Sequence, residues 1–267
     1  MRVIHTLMLS LAAAALGGCI NSTTLIKVKP DGSGTVEQTT LVNLQALKAM
    51  MPGMPGGQAG NPVNPDNLKR QAERMGKGVR LVSSEPAKSG GFEGVKAVFA
   101  FDDINQVSVN QDPDMGGGTG GFAPPPSPND SPVRFTLARQ GATSVLTVQF
   151  QDKPGSSTGT KSETPQGGPD ISDPTVMNMV KAMFQGFRIG LDVEVVGSIV
   201  KTNAEYVTGP RVTLLEMDMA ALFADEAKLK GLQSRIRPGA TLSEVKPYLK
   251  DIKGIKIDGP LVTIEFK

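Results

Sequence analysis

Residue types that commonly carry out chemistry are scarce in this chain. Its 267 residues include one cysteine, Cys19, one histidine, His5, and no tryptophan. Cys19 lies at the end of an alanine-rich apolar run, MRVIHTLMLSLAAAALGGC. A lone thiol in such a place is a buried and inert core residue, half of a disulfide, or a residue that the cell modifies. With no second cysteine in the chain, an internal disulfide is excluded.

The residues before Cys19 favour modification. Arg2 gives a short positive start, and residues 7–16 are apolar except for Ser10. Two glycines then precede the cysteine. This is the layout of a secretory signal peptide, and the apolar run is too short to span a bilayer, which takes about 20 residues. We therefore interpret residues 1–18 as a signal peptide.

The four residues Leu16-Gly17-Gly18-Cys19 resemble the lipobox of bacterial lipoproteins. The resemblance implies that the Cys19 thiol receives a diacylglycerol group, that the chain is cut before Cys19, and that the new amino group is acylated, for example with palmitate. Stable anchoring takes about two lipid signals, which these modifications would supply. Ile20 stands where an Asp would favour the inner membrane, so a Gram-negative source would imply the periplasmic face of the outer membrane.

Removal of residues 1–18 would restrict the available chemistry further. His5 would leave with the signal peptide, so the mature chain would have no imidazole and no free thiol. Ser–His–Asp and Cys–His catalysis are then excluded, as are histidine-based zinc and iron sites. Carboxylate, lysine, tyrosine and hydroxyl chemistry remain. We predict a non-enzymatic protein with no cofactor.

The charge balance argues against a nucleic-acid partner. The mature chain would keep 27 basic and 26 acidic residues, because residues 1–18 contain one Arg and no acid. A basic patch or run, which nucleic-acid binding requires, does not stand out. The same balance argues against electrostatic docking on acidic lipid.

Methionines cluster in two places, a Gly/Pro-rich segment with Met50, Met51 and Met54, and a predicted helix, TVMNMVKAMF. Thioethers select Cu(I), but no His or Cys supports a copper site here. Methionine also forms adaptable apolar binding surfaces. We therefore predict no metal and a contact surface made by Met177, Met179, Met183 and Phe184.

Three carboxylate pairs are candidates for catalytic acids: Asp102-Asp103, Asp112 with Asp114, and Asp225-Glu226. A glycosidase needs two acids about 5 to 9.5 Å apart across a cleft. Adjacent residues of a strand point to opposite faces, so the first pair is poorly arranged. We interpret all three as turns, caps or exposed faces.

Three stretches rich in Gly, Pro, Ser and Asn divide the chain: Met50–Pro65, Asp112–Pro132 and Lys153–Asp170. Such compositions are typical of disordered loops. After the signal peptide, they predict a β-rich region over 19–152 with insertions at 50–65 and 112–132, a linker over 153–172, and an α+β region over 173–267.

Hydrophobic alternation with a period of two dominates between these stretches. It predicts three antiparallel hairpins, of which the first is turned by PDGSG at Pro30–Gly34, and further strands in RIGLDVEVVGSIV, RVTLLEM, GIKI and PLVTIEF. Asp173 and Pro174 are typical of a helix start, and MAALFADEAKLKGL and TLSEVKPYL also read as helices. The expected fold class is α+β, an antiparallel meander with a few helices packed on it.

The stretch LDVEVVGSIVKTNAEYVTGPRVTL, Leu191–Leu214, resembles the LppM-type domain of bacterial cell-envelope lipoproteins. Its strand, Gly197, Asn203 and second strand follow that pattern. The resemblance implies a non-enzymatic envelope protein that contacts lipid or another envelope component. Physically, Gly197 permits a bend, and Asn203 tolerates the left-handed conformation and bonds to its own backbone.

The sequence thus predicts an extracytoplasmic, membrane-anchored envelope protein that works by binding or scaffolding. Its partners would be the membrane, through the lipid on Cys19, and envelope lipid or another envelope protein. Two alternatives stay open. One is a hydrolase of envelope glycans that uses carboxylates, and the other is a carrier of lipid or another apolar ligand.

Overall fold

A computed structural model of the protein describes residues 20–43, 65–110, 132–150, 181, 186–224, 242–250 and 252–267. These ranges form thirteen strands: β1 (Ile20–Val28), β2 (Gly34–Val42), β3 (Arg80–Ser89), β4 (Phe92–Phe101), β5 (Ser108–Val109), β6 (Val133–Gln140), β7 (Thr143–Phe150), β8 (Arg188–Val195), β9 (Ile199–Thr202), β10 (Val207–Thr208), β11 (Arg211–Asp218), β12 (Ile255–Ile257) and β13 (Leu261–Phe266). The helices are α1 (Pro65–Met75), α2 (Met219–Ala224) and α3 (Leu242–Leu249), with a 3₁₀ turn at Ile104–Gln106.

The strands form two sheets. The larger, eight-stranded sheet has the order β10-β11-β8-β1-β2-β4-β3, and β12 also pairs with β11. The smaller, five-stranded sheet has the order β5-β6-β7-β13-β9. Most neighbours are antiparallel, but β1 and β8 run parallel, with Asn21 opposite Arg188 and Val28 opposite Val195.

The inner faces of both sheets contribute to one cluster of buried apolar side chains. Ile26, Val193 and Phe99 come from the larger sheet, and Leu146 and Ile264 come from the smaller one. All five side chains are fully buried. Two sheets that each bury one face against the other form a β-sandwich. Apolar and polar residues therefore alternate along the strands because one face of each sheet packs against the other sheet.

The expected α+β fold class is wrong. Most described residues outside turns lie in strands, and the described part of the chain has only three short helices. Alternating strands must bury one face, and either helices or a second sheet can cover it. Here the buried side chains of a second sheet, including those of β7 and β13, join those of the larger sheet in one core, in the place that the prediction assigned to helices.

The three predicted hairpins are confirmed as β1–β2, β3–β4 and β6–β7. In the first, the Ser33 amide donates to Asp31 Oδ1 at 2.9 Å and the Ser33 hydroxyl donates to it at 2.8 Å. These bonds lower the pKa of Asp31. Gly32 has φ +90°, a value that favours glycine. The turn chemistry predicted for PDGSG is therefore present.

Two of the three predicted helices are confirmed at least in part, and the third lies almost entirely outside the described residues. The helix in TLSEVKPYL is confirmed as α3, and the start of MAALFADEAKLKGL is confirmed as α2. The predicted helix TVMNMVKAMF lies outside the described residues except for Lys181, and so do the three predicted loop stretches apart from Pro65 and Pro132. Helix α1 was not predicted, although Pro65 stands at its first position and Leu68, Ala72 and Met75 share one buried face.

Candidate membrane-attachment site

The predicted lipidation residue Cys19 and the lipobox residues Leu16, Gly17 and Gly18 lie outside the described residues, so lipidation stays a prediction. The described chain starts one residue later. Ile20 is the first residue of β1 and is 3% exposed. Consecutive Cα atoms are about 3.8 Å apart, so a group attached to Cys19 starts at the end of a buried strand.

Ile20 lies at one end of the larger sheet, together with the ends of the neighbouring strands. We call this end of the sheet the Ile20 end. It comprises the terminal residues of four neighbouring strands and the second residue of β4: Ile20, Val42, Arg188 and Asp218, with Glu93 of β4. The register pairs Ile20 with Val42, Val42 with Glu93, and Arg188 with Asp218. Strand β8 runs parallel to β1, so its first residue lies at the same end as Ile20.

The predicted contact surface of Met177, Met179, Met183 and Phe184 also lies outside the described residues. The chain that follows it is described, and it enters β8 through Gly186 and Phe187. Gly186 has φ +93°, and a Cβ there would collide with the ring of Phe92. The exit from the predicted methionine segment is therefore fixed against the start of β4, at the Ile20 end.

Polar side chains are buried on the core face of β1 and β2. Ser22, Thr24 and Gln38 are 5%, 7% and 8% exposed. Gln71 of α1 donates from Nε2 to Gln38 Oε1 at 2.6 Å. Burial of an amide costs free energy unless it is hydrogen-bonded, so this bond favours one placement of α1 over β2. Both groups are neutral amides, which do not supply acid–base chemistry.

The outer face of the larger sheet carries ion pairs between neighbouring strands. Glu37 contacts Lys27 at 2.6 Å, and Glu194 contacts Arg211 at 2.7 Å. The hydrogen bond from Arg211 to Glu194 raises the pKa of Arg211. Charges that alternate in sign across strands stabilise the pairing and stay solvated. We interpret this face as a solvated surface of the sheet.

Glu216 joins two of these pairs. It contacts Lys256 of β12 at 2.7 Å and Arg188 of β8 at 2.9 Å. The hydrogen bond from Lys256 is the main reason why the pKa of Glu216 is lowered, and Arg188 adds to the effect. A carboxylate held ionised in this way ties three strands together near the Ile20 end.

A second set of contacts fixes α3 and the chain between β12 and β13. Lys246 Nζ donates to Glu205 at 2.6 Å, which lowers the pKa of Glu205. Asp258, 5% exposed, accepts the backbone N–H of Glu205 at 3.0 Å and of Gly259 at 2.7 Å. The turn at Asp258 and Gly259, between β12 and β13, thus has a buried carboxylate that closes it, which alternation alone could not reveal.

The carboxylates weighed as catalytic acids are placed as structural residues where they are described. Asp102 accepts from Arg80 at 3.0 Å. Asp103 caps the 3₁₀ turn and accepts the N–H of Asn105 at 2.9 Å. The other two pairs, Asp112 with Asp114 and Asp225 with Glu226, lie outside the described residues.

Gly197 and Asn203 flank β9, within the stretch that resembles the LppM-type domain. Gly197 has φ +141° and lies against the Lys267 carbonyl, which confirms the predicted bend. The prediction for Asn203 was wrong in two respects. Among the described residues only glycines have positive φ, and the Asn203 side chain bonds to β13, donating to the Leu261 carbonyl at 3.0 Å and accepting from the Thr263 N–H at 2.7 Å.

Within the described ranges, no group of three or more His, Cys, Asp or Glu side chains has the arrangement of a metal site. In the same ranges, no helix is long and apolar enough to cross a membrane.

Comparisons with known proteins gave one structural neighbour to report. The chain matches no protein-family model and no curated protein. Among solved structures, it is similar to the folded domain of the Mycobacterium tuberculosis protein LppM, determined by NMR. The identity is 12%, the match covers 94% of this chain and 91% of that chain, and the TM-score is 0.36. A TM-score of this size does not establish a shared fold.

Proposed function

We propose that this chain is an envelope lipoprotein that works by binding or scaffolding outside the cytoplasm. Its lipid would be a diacylglycerol on Cys19, with a further acyl group on the new amino end. In a Gram-negative source, it would lie on the periplasmic face of the outer membrane.

The observation that carries this proposal is the position of β1. Its first residue, Ile20, directly follows the predicted lipidated cysteine and is already buried. Cleavage before Cys19 would remove none of the described residues, so the mature protein would keep both sheets intact. This placement is compatible with removal of a signal peptide before Cys19.

Binding or scaffolding is favoured by the roles of the polar residues. The described acids that were candidates for catalysis, Asp102 and Asp103, are engaged with Arg80 and with a 3₁₀ turn. Glu37, Glu194 and Glu216 are each paired with basic residues across the outer face. These acids hold neighbouring strands and a turn together, which favours a role in binding or scaffolding over one in catalysis.

The experiment compares the wild type with Cys19→Ala. We expect the wild type to fractionate with membranes and to carry a mass increment of diacylglycerol plus an acyl chain. We expect Cys19→Ala to lose the acyl mass, and to leave the membrane fraction when residues 1–18 are replaced by a secretory signal peptide whose cleavage does not depend on lipidation. Gly18→Asp is a matched variant that keeps the thiol but alters the lipobox, and it should accumulate as an uncut precursor. A wild type without acyl mass, or a Cys19→Ala variant that stays membrane-bound behind that secretory signal peptide, would contradict the proposal.

The binding role is tested separately by cross-linking in native membranes, followed by purification of the wild type. We expect a defined envelope protein or lipid to be recovered at stoichiometric yield, and recovery to fall with Cys19→Ala behind that secretory signal peptide because the protein leaves the membrane. Release of sugars from purified envelope glycan by the wild type would instead support the hydrolase alternative and overturn this part of the proposal.

A further inference from the structure

We propose that the Ile20 end of the larger sheet is a lipid-contacting surface that rests on the headgroup layer of the membrane holding Cys19. This inference rests on the proposed function, because it takes the acylation of Cys19 as its premise. Its occupant is the bilayer surface around the anchor.

The length of chain between lipid and fold carries the inference. A flexible linker of n residues lets a tethered body move about 5–6 Å multiplied by √n. In the mature chain Cys19 is itself the only residue ahead of β1, so n is about one. The body would therefore stay at the membrane, unlike one that hangs from a long linker.

The start of β1 does not act as extra linker. Ile20 is 3% exposed and Ser22 is 5% exposed. Ile20 pairs with Val42 of β2, and Ser22 lies between two partner strands, opposite Thr40 of β2 and Ile189 of β8. Release of these residues would expose the buried apolar side chain of Ile20 to water, which costs free energy. The sheet thus holds the anchor point in place.

The ends of the neighbouring strands extend this surface. Strands β2 and β8 are the two neighbours of β1, and the register places Val42 opposite Ile20 and Arg188 opposite Asn21. Arg188 has a side chain that is 47% exposed. Its Nη2 donates to Glu216 at 2.9 Å, but a guanidinium has five N–H donors, so donors remain on this exposed side chain. A guanidinium recognises phosphate by hydrogen bonds, and phosphate is the common group of phospholipid heads, so the remaining donors of Arg188 match the proposed occupant.

The opposite end of the sheet would face away from the membrane. Strand β1 has nine residues, and at about 3.3 Å per residue its two ends are about 26 Å apart. Val196, which follows β8, is 49% exposed and donates its N–H to the Val28 carbonyl at 2.8 Å. It marks the end that is available to partners in the envelope.

The experiment uses single cysteines as probes, because acylated Cys19 leaves an introduced cysteine as the only free thiol. Arg188→Cys and Val196→Cys form a matched pair on one strand and its extension. Each mature lipoprotein is labelled with a fluorophore and reconstituted in phosphatidylethanolamine–phosphatidylglycerol vesicles that carry a nitroxide on lipid headgroups. Glu93→Cys is a second probe of the Ile20 end that keeps Arg188.

We expect headgroup quenching to be several-fold stronger at positions 188 and 93 than at position 196. Equal quenching at all three positions, in protein whose acyl groups are confirmed by mass, would overturn this inference and leave the lipoprotein proposal standing. Stronger quenching at 196 would mean that the opposite end meets the bilayer, and it would also overturn the inference. Absence of the acyl mass would overturn both proposals.

Discussion

Glu216 shows how single charged residues hold neighbouring strands together. Its carboxylate contacts Lys256 and Arg188, and these cations lower its pKa below the ordinary value of 4.5. The ionised form is therefore favoured in the folded protein. Its contribution to stability is complete above the ordinary Glu pKa and is lost as the pH falls through the lowered folded-state pKa.

We predict that Glu216→Gln lowers the free energy of unfolding by about 0.5–1 kcal/mol at pH 7, the range of a partly exposed ion pair. The difference between wild type and variant should shrink as the pH falls from 5 toward 3. Urea unfolding followed by circular dichroism at several pH values measures it. Lys256→Met, alone and combined with Glu216→Gln, serves as a double-mutant cycle; a difference that does not change with pH would contradict the prediction.

Residue roles were predictable where the chemistry is local. The Asp31 turn follows from a sequence in which proline, aspartate and glycine stand together. The prediction for Asn203 was wrong because its hydrogen-bond partners, Leu261 and Thr263, lie on β13, about 60 positions later in the chain. Likewise, the bond between Gln71 and Gln38 joins α1 to β2 across 33 positions. Contacts of this kind depend on tertiary structure that no local pattern encodes.

The same distinction holds for strands and helices. Hairpins such as β1–β2 were predicted because alternation and a short turn fix both partners. The parallel pair of β1 and β8 was not predicted, since a crossover of more than 150 residues separates them. Helix α1 was missed because its three buried residues are separated by charged ones and it directly follows a Gly/Pro-rich stretch.

Helix α1 packs its buried face into the core, and the contribution of this packing to stability can be tested. Leu68 is 4% exposed within the core cluster. We predict that Leu68→Ala lowers the free energy of unfolding by about 2–4 kcal/mol, through lost burial and the cavity left behind. Lys69→Ala, at the next and exposed position of the same helix, is the matched control. Thermal or urea unfolding measures both, and equal effects would show that α1 does not pack as described.

For the whole molecule, the division into an N-terminal and a C-terminal region does not correspond to two cores. Strands β1 and β8 pair within the larger sheet, and β7 and β13 pair within the smaller one. Each sheet therefore contains strands from both regions. The sequence left open whether there is one core or two, because period-two alternation shows which residues are buried but not against which partner.

This interleaving predicts that neither region folds alone. A fragment of residues 19–152 would lose β8, whose Leu191, Val193 and Val195 are at most 2% exposed. At about 1.5–3 kcal/mol for each buried aliphatic side chain, that loss is comparable with the whole stability of a typical domain, about 5–15 kcal/mol. We expect fragments 19–152 and 173–267, each with Cys19 replaced where present, to lack a cooperative thermal transition by circular dichroism. Their equimolar mixture should regain one, together with dispersed amide signals by NMR. Cooperative melting of fragment 19–152 by itself would show that the N-terminal strands form an independent core, which the pairing of β1 with β8 argues against.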